Sequence, residues 1–377
     1  LDPDYIDLRA TTGDIVQNAD GVLTTPALRV RAEAAGAVVQ LAVTFNAIST
    51  LAGRADDFFS LLNNQALTVG TVLGTAGLVS QNGSVGLVAT SIVLQAAVTS
   101  GTSALDPDLI QLDAFGGDIT QNAAGVVTTP ELRAQASAGS VLLDDATNQV
   151  GTLAGAANAQ FEFLNGQALT VGTVLGVSGV QATTGHVALT APAIHFADIG
   201  TAATFIDLRA STGSITQDVG GILTAPQLRA RAEAAGASVL LDDATNQVGT
   251  LAARATGDVL FLGGQALTVD TVEGTAGVQA ATGQVALTAT ALDFVQDASA
   301  ATQIDLRAID PLSGRTLWER KIPDAYFDVI KRERIRGPML SSGRCVIVDW
   351  LTGELQDRGA APEGSHTPRL IRSLMIV

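Results

Sequence analysis

Pro26-Ala-Leu-Arg-Val-Arg-Ala-Glu-Ala-Ala-Gly36 is the stretch on which the fold turns. One reading makes it a short helix, with Thr25 as cap, Pro26 in the first turn and Gly36 beyond the end. The alternation favours a strand instead. Leu28, Val30, Ala32 and Ala34 interleave with Arg29, Arg31 and Glu33, and a period of two sends the apolar set to one face and the charges to the other. The pattern returns at Leu228, Ala230, Ala232 and Ala234 against Arg229, Arg231 and Glu233. Inward-facing alanines suit a narrow, tightly packed coil.

Working outward, the stretch belongs to a unit of about 100 residues that occurs three times and begins a fourth. IDLRA stands at Ile6, Ile206 and Ile304, with the variant IQLDA at Ile110, so the starts lie 104, 96 and 98 residues apart. TGDIVQN, GGDITQN and TGSITQD follow, then LTTPALR, VTTPELR and LTAPQLR, and later NQVGTL at Asn148 and Asn246. Within a unit, apolar alternations near Ile6, Leu28, Ile48, Leu67 and Val85 recur about every 20 residues, with turn signals such as Asn82-Gly83, Thr184-Gly185 and Thr282-Gly283 between strands. Each unit thus reads as about five turns of a solenoid. Successive coils wind in one sense, so their strands pair in parallel at a rise of about 4.8 Å per coil. The expected fold over residues 1–308 is an all-β, right-handed parallel β-helix of roughly fifteen coils, with units starting near 5, 109, 205 and 303.

Composition agrees with this and narrows the function. The first 308 residues hold no Lys, Cys, Met or Trp and are rich in Ala, Gly, Thr, Val and Leu, which suit stacked strands and tight turns. A net charge of −16 argues against nucleic acid and anionic membrane as partners. Every apolar stretch is interrupted well short of the roughly 20 residues that span a bilayer, so no transmembrane segment is expected. The single cysteine, Cys345, excludes an internal disulfide. The chain begins mid-pattern at Leu1 and reads as a piece of something longer.

The succession G-x-I-x-Q, L-T-x-P-x-L, G-x-V-x-L, N-x-V-x-T-L, A-L-T-V and T-G-x-V-x-L, over about residues 5–308, resembles the repeat regions of filamentous-haemagglutinin-like bacterial adhesins and autotransporter passengers. The resemblance implies a secreted β-helical shaft, extracellular or on the bacterial cell surface, that holds a binding region away from the cell. It implies as partners an outer-membrane translocator during export and a protein or glycan on a host or neighbouring cell. That family carries no catalytic residues in its repeats, so no catalytic, cofactor or metal residue is carried over and no cofactor is expected. The alternative class is a carbohydrate-active β-helix enzyme, a lyase or hydrolase, which requires clustered acids and a basic partner in one groove.

After Ala308 the repeat fails. Both Lys, both Trp, both Met, Cys345 and about half of the 21 basic residues lie in 309–377. Three readings of this tail stay open: a native cap, with a short helix over Pro323 to Gly337 and a strand at CVIVDW; a segment, Leu306 to Pro323, similar to one blade of quinoprotein-type β-propellers; and a junction or frame-shifted piece.

Candidate chemistry is sparse. Asp144-Asp145 and Asp242-Asp243, followed by Asn148 and Asn246, suggest a calcium site, but the first copy has Ala42-Val43 there, and a turn or a solvated face is the expectation. Arg29, Arg31 and Glu33 read as an exposed charged face. His186 and His195 stand where the third copy has Gln284 and Asp293, which points to surface variation. Gly53-Arg54-Ala55-Asp56 lacks the order of an integrin ligand, Gly70 to Gly77 follows no phosphate-binding frame, and Cys345 with His366 makes only a weak nucleophile pair.

Overall fold

The structure is a computed structural model that describes residues 4–101, 108–310, 312–313, 315–323, 346–348 and 355–357. It divides into two compact units, 1–333 and 334–377. In the second, Val346–Val348 pairs antiparallel with Leu355–Asp357, within the CVIVDW segment and beyond it. Pro323 ends a strand, and the rest of the expected helix to Gly337, together with Cys345 and His366, lies outside the described residues.

The first unit is a β-solenoid of about 14 turns with no helix among the described residues. Its strands stack in parallel, each coil bonded to the one before and the one after. The deciding stretch is a strand, Thr24–Ala32, whose pattern buries Leu28, Val30 and Ala32. Its copies are the strands Val127–Ala136 and Leu223–Ala232. The alternation stops short of Ala34, because the chain turns at Gly36, whose φ of 72° suits glycine.

Two ladders of inward side chains run the length of the unit. One runs through Ile6, Leu28, Leu51 and Val69, steps to the neighbouring inward residue Leu67 of the same strand, and continues through Ile92, Ile119, Val141, Phe161, Val187 and Ile206. The other runs through Ile15, Val39, Phe59, Val85, Ile110, Leu132, Leu153 and Val171, makes the same step to Leu169, and continues through Ile194, Ile215, Val239, Val259 and Val285 to Ile304. Nine coils therefore separate Ile6 from Ile206, the first residues of the first and third units. Ile110, which opens the second, lies in the opposite ladder. A sequence unit is four and a half coils, not five, so successive units present opposite sides of the solenoid and register returns every second unit. Coils are longer than the expected 20 residues because of two devices that recur in each unit.

The first device is a 17-residue bulged strand: Val39–Ala55, Val141–Ala157 and Val239–Ala255. Its register with the next coil shifts between Leu143 and Asn148, and equivalently at Asn46 and Asn246. The asparagine holds the bulge. Fully buried Asn148 donates to the carbonyls of Leu143 (2.9 Å), Ala146 (3.2 Å) and Leu164 (3.0 Å) and to Gln121 Oε1 (3.0 Å). Its oxygen accepts from Val127 N (2.8 Å) and Gln121 Nε2 (3.1 Å). Asn46 with Gln17 and Asn246 with Gln217 repeat the arrangement. Backbone groups left over by the irregular ladder are thereby satisfied inside an otherwise apolar core.

The second device is a small antiparallel hairpin extruded from the middle of a parallel strand. Thr71-Val72 pairs with Thr75-Ala76, Thr173-Val174 with Val177-Ser178, and Thr271-Val272 with Thr275-Ala276. On either side the strand keeps its register: Leu153 faces Val171 before the hairpin and Gly155 faces Val180 after it. The closing glycine permits this. A Cβ on Gly179 would lie 1.9 Å from the carbonyl oxygen of Ile199. The tips hold Leu73, Leu175 and Glu273 at φ of 49°, 48° and 47°, a left-handed conformation that costs a non-glycine residue about 1 kcal/mol.

At the far end the parallel pattern reverses. Gln303–Ile309 pairs in parallel with Val285–Ala289 on one side and antiparallel with Thr316–Pro323 on the other. Arg307 and Lys321 bridge to Asp305 and Glu319 across this last pair.

Candidate functional site

Outward positions one coil apart become neighbours, and this builds the charged surface. On the first unit Arg29 makes a two-point ion pair with Asp7, and Arg9 holds Glu33 at 3.0 and 2.7 Å. The third unit repeats both, with Arg229 on Asp207 and Arg209 on Glu233 at 2.8 and 2.9 Å. Hydrogen bonds from these arginines hold Asp7, Glu33 and Glu233 below the usual carboxylate range. Arg29 and Arg229 also donate to the tip carbonyls of Leu73 and Glu273, tying each hairpin back over the coils before it.

Beside those pairs stands a column of three arginines. Arg9, Arg31 and Arg54 occupy consecutive coils in one register position, as do Arg209, Arg231 and Arg254. The second unit has Asp113, Gln135 and Ala156 at those positions. In the third unit the column lines a groove of about 410 Å³, walled by Arg231, Arg254, Glu233, Gln279 and the hairpin residue Thr275. Arg231 approaches Asp207 at 3.5 Å and Glu233 at 4.0 Å, while its Nε is buried without a hydrogen-bond partner. Arg254 is exposed and, among the described residues, makes no hydrogen bond or ion pair.

The second unit carries an acid and histidine cluster instead. His186 Nε2 lies 2.9 Å from Glu162 Oε1, and its ring stacks on Phe205 with centroids 4.4 Å apart and planes 7° from parallel. Asp144 stands next to the same Glu162 on the exposed side of the bulged strand; partial burial, then the adjacent Glu162 carboxyl, push the Asp144 carboxyl above its usual range. Two carboxyls beside an imidazole are the raw material of acid–base chemistry. Asp144 lies on the solvated face of the bulged strand, as a turn or solvated face was expected there, and Glu162 on the next coil stands between it and His186. One signal was present: Asp144, Glu162 and His186 are separated by 18 and 24 residues, close to one coil each.

A further groove of about 300 Å³ on the third unit is lined by Asp242, Gln284, Thr288, Asp305 and Arg307. Burial and then the neighbouring Asp243 charge raise the Asp242 carboxyl.

The remaining candidates have structural surroundings. Asn148 and Asn246 point into the core, bound as described, so they are not available to a calcium ion beside the Asp pairs. Among the described residues no cluster of three or more His, Cys, Asp or Glu side chains has metal-binding geometry. His195 bonds Thr216 (2.9 Å) and approaches Asp218 (3.3 Å) on the outer face. Asp56, which ends the Gly53 tetrapeptide, accepts from Gly36 N at 2.7 Å in a turn. Gly70 to Gly77 is the first hairpin. No helix among the described residues is long and apolar enough to cross a membrane.

Comparison with known protein families, with curated proteins and with solved structures gives no match to this chain.

Proposed function

We propose that the chain is a non-catalytic shaft of a bacterial surface adhesin of the filamentous-haemagglutinin or autotransporter kind, exported through an outer-membrane translocator and standing outside the cell. The observation that carries this reading is the continuous parallel pairing of coil on coil from the strands of Ile6 and Ile15 to that of Ile304. Each coil is stabilised by its neighbours alone, so the design extends without limit in one dimension, which suits a spacer. Surface proteolysis of cells producing the protein tests it. Shaft fragments must be released from intact cells by added protease and their release must track loss of attachment; retention inside the cell overturns the reading.

A second reading, a carbohydrate-active β-helix enzyme, draws on the Asp144, Glu162 and His186 cluster and on the groove between Asp242, Asp305 and Arg307. Release of reducing ends or unsaturated products from polysaccharides by the purified protein, abolished by Glu162→Gln or Asp242→Asn, establishes it in place of the first.

A further inference from the structure

The arginine columns carry more positive charge than the fold consumes. Asp7 and Asp207 are each engaged at two points by Arg29 and Arg229, and Glu33 and Glu233 by Arg9 and Arg209. Those pairs account for four arginines. Arg31 and Arg231 have only long contacts of 3.5 to 4.0 Å to the same acids, each with a buried Nε that lacks a partner. Arg54 and Arg254 are exposed and make no hydrogen bond or ion pair among the described residues. On a chain of net charge −16 these are local sites where arginines outnumber the acids beside them, Arg54 standing near enough to Glu33 to help hold its carboxyl down. The one in the third unit opens into the 410 Å³ groove beneath its hairpin.

We propose that Arg254 with Arg231, and Arg54 with Arg31, are two equivalent binding sites for the carboxylates of one linear uronate-containing polysaccharide. A guanidinium matches a carboxylate at two points. Around Arg254 the groove offers neutral donors and acceptors, Gln279, Thr256 and Thr275, between the small side chains Ala255 and Ala281, and its one carboxylate, Glu233, is engaged at two points by Arg209. Such a lining suits sugar hydroxyls. The spacing selects a polymer. Both columns flank the same inward ladder, because two sequence units make nine coils, and so they stand on one side of the shaft about 43 Å apart at about 4.8 Å per coil. The second unit, whose corresponding positions lie on the opposite side, has no such column. A ligand that repeats its carboxylates along its length can engage both sites at once and gain from effective concentration.

The proposal rests on the surface-shaft reading for its choice of ligand, and its test separates the two. Long hyaluronan, hyaluronan tetrasaccharide, hyaluronan with its carboxyls reduced to alcohols, and polyglutamate are each measured against immobilised protein by interferometry at low salt. Proteins compared are the wild type, Arg54→Ala, Arg254→Ala, the double variant, and Arg133→Ala as a control on the second unit. Circular dichroism confirms that each is folded, and Arg254→Lys separates charge from the two-point fork. The expected result is that long hyaluronan binds the wild type at least roughly tenfold more tightly than the double variant does. Each single variant and Arg254→Lys fall between, the tetrasaccharide binds weakly, and the reduced polymer does not bind. Equal binding by wild type and double variant, no binding of hyaluronan, or undiminished binding of the reduced polymer overturns the proposal. Polyglutamate binding as tightly as hyaluronan, with the same variant sensitivity, overturns the assignment to a polysaccharide. Depolymerisation of hyaluronan during the measurement defeats the non-catalytic reading alone.

Discussion

Ile6 and Ile206 open equivalent sequence units and occupy the same inward ladder nine coils apart, whereas Ile110, which opens the unit between them, lies in the opposite ladder. The repeat of the sequence and the repeat of the coil are thus out of step by half a turn. Any surface feature borne by every unit appears alternately on two sides of the solenoid.

The hairpin tips measure that relationship. With Cys345 replaced by Ser, spin labels at positions 73 and 273 are expected to lie about 43 Å apart, nine coils on one side. Labels at 73 and 175 are expected to give a distance that exceeds a pure axial offset of four and a half coils, about 22 Å, by the width of the solenoid. Pulsed electron resonance gives both. Equal spacing for 73 to 175 and 175 to 273, each half of the 73 to 273 distance, would mean that all hairpins share one side.

Half of this organisation was legible in the sequence. Period-two runs such as Leu28, Val30 and Ala32 define the inward face, and the recurrence of IDLRA defines the repeat. The half-coil offset was not legible, since it depends on how many residues each coil spends outside its ladder strands. Asn148 and the hairpin at Thr173 absorb residues without changing the apolar alternation on either side. The hairpin itself was hidden because its turn places Leu175 where the usual signal is Asn or Gly. The acid and histidine cluster escaped for a related reason. Glu162 and His186 look unconnected until a coil length brings them to adjacent rungs.

Asn148 tests the bulge. Alanine there leaves the carbonyls of Leu143, Ala146 and Leu164 and the amide of Val127 without a buried partner. At about 1 kcal/mol or more for each unsatisfied group, Asn148→Ala is expected to cost about 3 kcal/mol or more. Asn148→Asp, which keeps the acceptor and removes the donors, is expected to be no better. Denaturant unfolding measures both, and a loss under about 1 kcal/mol for Asn148→Ala would remove the asparagine from its assigned role.

Two glycines of one hairpin separate strain from collision. Gly176 and Gly179 have φ of 74° and 68°, but a Cβ on Gly176 meets nothing within 4 Å while one on Gly179 meets the Ile199 carbonyl. Gly176→Ala is expected to cost about 1 kcal/mol from backbone strain alone. Gly179→Ala is expected to cost more than twice as much, about 2 to 3 kcal/mol, because the neighbouring coil must move. Melting of the two variants side by side decides it, and equal losses would exclude the close approach.

The raised carboxyl of Asp144 sets a pH dependence. Burial raises this carboxyl in the folded protein above its value in the unfolded chain, so the folded state binds more protons between those two values and stability falls as pH rises through that window. Asp144→Asn keeps a hydrogen-bonding group for Glu162 and removes the titration. The variant is expected to melt higher than wild type at pH 7, with the difference shrinking as pH is lowered past about 4, the ordinary carboxylate range. Parallel melts from pH 3.5 to 7.5 measure it, and a variant that melts lower than wild type at pH 7 contradicts a cost of partly desolvating the charged Asp144.

The antiparallel strand Thr316–Pro323 predicts two different truncation outcomes. It covers the outer edge of Gln303–Ile309, which otherwise presents unpaired backbone groups ready to pair with another chain. Arg307 and Lys321 add ion pairs across the junction to Asp305 and Glu319. Ending the chain after residue 323 keeps that strand and is expected to leave the solenoid's melting temperature unchanged and the protein monodisperse. Ending it after residue 309 removes the strand and is expected to lower the melting temperature and to produce edge-to-edge aggregates visible by light scattering. A protein ending at 309 that melts and scatters like the one ending at 323 would show that Thr316–Pro323 caps nothing, and would return residues 310–323 to the junction reading.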